Sequence, residues 1–139
     1  MSIPELPVKI NVKTTIDQDE TFELLVFGTY FEKGNTAYLR YEEAMEEGSV
    51  RTIVKMGSEE ALILRGGAVK MRLPFEVNRK LKGNYEMPFG QFATDTMAKR
   101  MDYSYESGKG RFSVLYDFSM EGAPANTYEL EIAFQEEKG

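Results

Sequence analysis

Apolar and polar residues alternate with period two along most of the chain, the pattern of strands that bury one face. Pro7–Ile16 sets Val8, Ile10, Val12 and Ile16 against Lys9, Asn11 and Lys13. Phe112-Val114-Tyr116-Phe118 and Tyr128-Leu130-Ile132-Phe134 repeat the pattern near the other end, within strands predicted over 112–120 and 128–134. Between them the pattern predicts strands at 36–43, 50–56, 61–65, 68–75, 85–87, 92–97 and 101–106. Thr21–Phe31 is apolar on both faces, which predicts a strand covered on both sides or bent at Gly28. Turn residues punctuate these runs at Asp17-Gln18-Asp19, Lys33-Gly34-Asn35, Ala44–Gly48 and Gly66-Gly67. The helix candidates, Glu42–Glu47, Glu59–Leu64 and a turn at Asn78–Leu81, are too short to stand alone, and the second reads better as a strand.

Short strands joined by tight turns predict an all-β fold: a small antiparallel meander barrel of about 8–10 strands, one domain over residues 1–139. Closing the sheet removes its edges, and no long crossover of the Greek-key kind interrupts the meander.

The turns align the central strands. The loop at Ala44–Gly48 pairs Tyr41 with Thr52, Leu39 with Val54 and Glu42 with Arg51. A turn near Gly57-Ser58 pairs Val54 with Leu62 and Thr52 with Leu64. Gly66-Gly67, read as a two-residue loop, pairs Arg65 with Ala68 and Leu62 with Met71. This register collects Leu39, Tyr41, Val54, Leu62, Leu64, Val69, Met71 and Leu73 on one face. Arg40, Glu42, Arg51, Lys55, Arg65, Lys70 and Arg72 fall on the other, interrupted by Tyr38, Ile53 and Ile63. A one-residue slip would exchange the faces of a strand. The basic face reads first as a solvated outer surface with a Glu42–Arg51 ion pair. Turned inward, it would place Arg51 and Arg65 in the lumen, with Glu42 as their partner.

Composition narrows the chemistry. The 139 residues include no His, Cys or Trp, so disulfides, thiolate or imidazole metal ligands and Ser-His or Cys-His catalysis are excluded. There are 17 basic and 23 acidic residues, a net charge of −6, which disfavours a dedicated nucleic-acid binder. The acidic doublets fall mostly at turns or the tail, and adjacent strand residues point to opposite faces, so none forms a carboxylate pair. Asp17-Gln18-Asp19 lacks the Gly and distal Glu of a calcium loop. Neither a catalytic constellation nor a metal or cofactor motif emerges. The start of the chain lacks the apolar core of a signal peptide and no run is long enough to span a bilayer, so the expected compartment is the cytoplasm. Eight Met and nine Phe predict a lumen largely filled by side chains.

The chain resembles the YwiB-like family of uncharacterised bacterial proteins along nearly its whole length. The resemblance rests on Gly28-Thr29-Tyr30, Tyr38-Leu39-Arg40-Tyr41-Glu42-Glu43, Thr52-Ile53-Val54-Lys55 and Leu64-Arg65-Gly66-Gly67. It continues through Tyr85 with Pro88 and Gly90, Thr94-Asp95-Thr96, and Gly110 before Val114–Tyr116; Met87 stands where a Thr-like residue is expected. It implies a calycin (lipocalin-like) barrel of bacterial cytoplasmic origin. Calycin barrels commonly hold small lipophilic molecules, which is an analogy of fold alone.

The expected function is therefore non-catalytic. A small, partly apolar or anionic ligand would bind in or at the mouth of the barrel, contacted by Tyr41, Glu42, Arg51, Arg65, Tyr85 and Tyr116. The alternative is an interaction module whose basic face (Arg40, Arg51, Lys55, Arg65, Lys70, Arg72) meets an acidic protein or RNA. A third reading, an enzyme using carboxylates and Arg, requires two carboxylates converging in a cleft. A homodimer through an exposed strand or the two-faced Thr21–Phe31 segment is compatible with each.

Overall fold

The computed structural model describes residues 5–137. Ten strands run in chain order: β1 (Glu5–Ile16), β2 (Glu20–Lys33), β3 (Thr36–Met45), β4 (Gly48–Met56), β5 (Glu60–Gly67), β6 (Lys70–Glu76), β7 (Lys80–Met87), β8 (Gly90–Glu106), β9 (Lys109–Met120) and β10 (Asn126–Glu136). Each pairs antiparallel with its sequence neighbours, and β1 pairs with β10, so the meander closes into a barrel. No helix forms among the described residues, and hence none that could cross a membrane.

Alternation decides which side chains enter the lumen. Val8 and Ile10 of β1, Leu39 and Tyr41 of β3, Val54 of β4, Phe112 and Val114 of β9, and Ile132 and Phe134 of β10 are all buried. The β3–β4 register is the expected one, with Tyr41 opposite Thr52, Leu39 opposite Val54 and Glu42 opposite Arg51.

At β5 the register differs from the sequence reading. Val54 lies opposite Ile63 and Thr52 opposite Arg65, one residue away from the Leu62 and Leu64 pairings. The slip exchanges the faces of β5, so Ala61 and Ile63 are buried while Leu64 is exposed. The cause lies partly in Gly66-Gly67. These residues do not reverse the chain; they extend β5 opposite Arg51 and Val50. A Cβ on Gly67 would sit 2.4 Å from the Ser49 carbonyl oxygen, so the glycine permits a close backbone approach. Ala68 and Val69 make the turn, and Arg65 pairs with Met71.

Three other segments depart from expectation. The predicted strands 92–97 and 101–106 are one strand, β8, with a bulge between Ala98 and Arg100. The extra residue switches the buried parity from Thr94, Thr96 and Ala98 to Met101, which is why the alternation looks broken in sequence. Asn78–Leu81 forms no helical turn: it enters β7, and Asn78 takes a φ of 62°. β2 is not covered on both sides, since Phe22, Leu25 and Phe27 are each more than half exposed. It pairs with β3 only over Gly28–Lys33, and a Cβ on Gly28 would lie 2.3 Å from the Arg40 carbonyl oxygen.

Candidate functional site

One end of the barrel is filled. Tyr30 stacks on Tyr105 with ring centroids 4.5 Å apart, and Phe134 packs against both. The Tyr30 hydroxyl donates to Glu32 (2.7 Å) and lies 3.1 Å from that of Tyr103. Burial, reinforced by these two neighbours, pushes the Tyr30 phenol well above its ordinary value.

The other end is hollow. A cavity of about 520 Å3 opens there, beneath the β7–β8 hairpin. The expectation of a filled lumen is therefore wrong: Met71, Met87 and Met120 line the space rather than occupy it. Its floor is apolar, formed around Val54, Ile63, Leu73, Leu130 and Ile132, and the exposed Phe89 stands in its rim. A space of this size falls within the ordinary range of small-molecule sites, roughly 300–1,000 Å3.

Strand pairing places a row of polar groups near that rim. Tyr41, Thr52, Arg65, Met71, Tyr85 and Phe92 lie opposite one another in turn across β3 to β8. Arg65 is the one charged side chain lining the cavity among the described residues. Its Nη2 lies 3.8 Å from Oε1 of Glu43, too far for a hydrogen bond. Arg65 Nε, Glu43 Oε1 and the Thr52 hydroxyl are all buried without a hydrogen-bond partner. Burial raises the Tyr41 phenol; the charge of Arg65 pulls it back, Glu43 pushes it up, and the close approach of the Thr52 hydroxyl and the Arg65 guanidinium to the phenol oxygen lowers it again. Burial, aided by Tyr128 and opposed by Arg65, also raises Tyr116, which stacks on Tyr128 at 5.4 Å and meets Phe75 edge-on.

Of the six expected ligand contacts, Tyr41, Arg65, Tyr85 and Tyr116 line the cavity. Glu42 and Arg51 do not. They face outward on β3 and β4 as a solvent-exposed ion pair at 3.6 Å. Arg65 also leaves the basic face, because the β5 slip turns it inward while Arg40, Lys55, Lys70 and Arg72 keep to the outside or its margin. On that outer face Arg40 pairs with Glu5 and lies over the Phe31 ring. Lys55, Lys70 and Arg72 form no ion pair among the described residues. The partner of Arg65 is Glu43, not Glu42. The parity of Leu39, Tyr41 and Glu43 in β3 could have identified it. No three potential metal-ligating side chains come together among the described residues.

A closed ten-stranded meander with an apolar lumen open at one end defines a small β-barrel protein with a ligand-sized cavity. Residues 8–132 match the family described as Domain of unknown function (DUF1934), and the chain belongs to that family. It is 33% identical over 134 residues to the uncharacterized beta-barrel protein YwiB of Bacillus subtilis (strain 168), covering 94% of each chain. The crystal structure of the ywiB protein from Bacillus subtilis is similar along its length: TM-score 0.89 at 32% identity, covering 98% of this chain and 96% of that one.

Proposed function

We propose that the protein binds a small, partly apolar molecule in the lumen, entering between the β7–β8 and β9–β10 hairpins. The observation that carries this reading is the 520 Å3 cavity, whose wall is apolar except for Arg65 and a few hydroxyls. Removing apolar ligand surface from water supplies affinity, and the few polar groups supply orientation. The basic outer face supports the alternative less well. Arg40 and Arg51 are already paired with Glu5 and Glu42, and Arg65 is absent from it.

The test is titration with N-phenyl-1-naphthylamine, an uncharged apolar fluorophore. The expected result is saturable binding at one site, weakened at least tenfold by Met87→Trp, which narrows the mouth. Absence of saturable binding, or binding indifferent to the substitution, overturns the reading.

A further inference from the structure

We propose that the ligand is an amphipathic acid with a single negative charge, a monocarboxylate, bound tail-first with its head on Arg65. This rests on the lumen reading above and adds the class of molecule. Three observations lead to it.

The first is the unfinished state of the polar row. A guanidinium carries five N–H donors in a fixed fork. Arg65 holds Nε buried without an acceptor, and the nearest carboxylate oxygen, on Glu43, stops at 3.8 Å. Thr52, in the same row, brings its buried hydroxyl close to the Tyr41 phenol without a well-formed hydrogen bond. Unmet donors in a desolvated place are costly, so the row favours an acceptor placed closer to Arg65 than Glu43 is. A carboxylate fits the fork, taking N–H bonds from Arg65 beside the Tyr41 phenol, which lines the cavity with it.

The second is the direction of the cavity. Arg65 and Glu43 stand near the rim, with side chains 28% and 18% exposed, while Ile63, Leu73 and Val54 form the next row inward. Further inward Phe75, opposite Ala61, and Phe112, opposite Ile132, are fully buried. An apolar tail therefore points inward and the charged head stays at the mouth, partly hydrated.

The third is Glu43, which limits the charge. Glu43 already balances the charge of Arg65, so one added anion leaves the site with a single net negative charge, and the second charge of a phosphate monoester would face the Glu43 carboxylate with no further cation lining the cavity to offset it. Like charges this close in a partly desolvated site disfavour the dianion.

The experiment is displacement of N-phenyl-1-naphthylamine by decanoate, decanol and decyl phosphate at neutral pH. Wild-type protein is expected to bind decanoate about 10- to 100-fold more tightly than decanol, the effect of charge-assisted hydrogen bonds. Decyl phosphate is expected to bind more weakly than decanoate. Arg65→Gln should abolish the preference for decanoate over decanol. Glu43→Gln should remove the discrimination against decyl phosphate, and it keeps the proposal open to refutation should Arg65→Gln unfold the barrel. Equal binding of decanoate and decanol, a preference that survives Arg65→Gln, or decyl phosphate binding better than decanoate each overturns this assignment while leaving the lumen reading intact. Failure of the fluorophore itself to bind overturns both.

Discussion

The two ends of the barrel are made of the same strands but solve the problem of a barrel interior in opposite ways. At one end Tyr30, Tyr105 and Phe134 stack into a plug, and the phenol of Tyr30 has a carboxylate partner in Glu32. At the other end the lumen stays hollow, and near it Arg65 and Glu43 form only a long ion pair while Thr52 makes no well-formed hydrogen bond. Packed aromatics and satisfied hydroxyls serve stability; an open volume with orphaned donors costs stability and is useful only when something fills it. The contrast teaches that the barrel is a cup, with a base that holds it together and a bowl that is left incomplete.

Truncation should separate the two ends most sharply. Phe112→Ala, at a fully buried position, is expected to destabilise the fold by about 3–5 kcal/mol in urea unfolding. Phe89→Ala, at the rim and 76% exposed, should stay within about 0.5 kcal/mol. Equal costs would break the distinction between base and bowl.

Alkaline titration gives the next largest effect. The folded protein holds the Tyr116 phenol above its ordinary value of 10.0, chiefly by burial. Raising pH therefore deprotonates the unfolded state first. The contribution of Tyr116 to stability is complete below pH 10 and declines above it, at no more than about 1.4 kcal/mol per pH unit. Tyr116→Phe should flatten this decline in denaturant melts collected from pH 9 to 11. An unchanged slope would show that the Tyr116 phenol is not held in its neutral form by the barrel.

The smallest contrast is between two buried threonines. Thr96 donates its hydroxyl to the Pro74 carbonyl at 2.6 Å, so Thr96→Val should cost about 1–2 kcal/mol. Thr52 makes no comparably well-formed hydrogen bond, so Thr52→Val should be neutral or stabilising by up to about 1 kcal/mol in thermal unfolding. A matching loss at both sites would mean that Thr52 is satisfied and the bowl is not incomplete there.

The architecture was legible wherever one strand face is clearly apolar and the other clearly polar, as in β1, β3, β9 and β10. The β3–β4 register followed from the same clarity. β5 was misread because Ala61-Leu62-Ile63-Leu64 is apolar on both faces, so the pattern cannot choose between them. The adjacent glycines looked like a reversal when their role is to let β5 approach the Ser49 carbonyl. That ambiguity decided where Arg65 went, and with it the site: Tyr41, Tyr85 and Tyr116 were identified, but Glu43 and Thr52 were not. Their incomplete hydrogen bonding is a property of three-dimensional neighbours and leaves no mark in composition or spacing.

The ladder between β1 and β10 governs how the barrel comes into being. Nine of the ten ladders join strands adjacent in sequence, and the tenth pairs Val8 with Glu136 and continues to Ile16 with Tyr128. Hairpins between adjacent strands close short loops, whereas the last ladder must bring together segments separated by almost the whole chain. During synthesis the meander can zip up strand by strand, yet it remains an open ribbon with two free edges until β10 has left the ribosome. The bowl does not exist before that moment, so no ligand can assist the early steps. The final closure is the step at which this chain is most exposed to pairing with another copy.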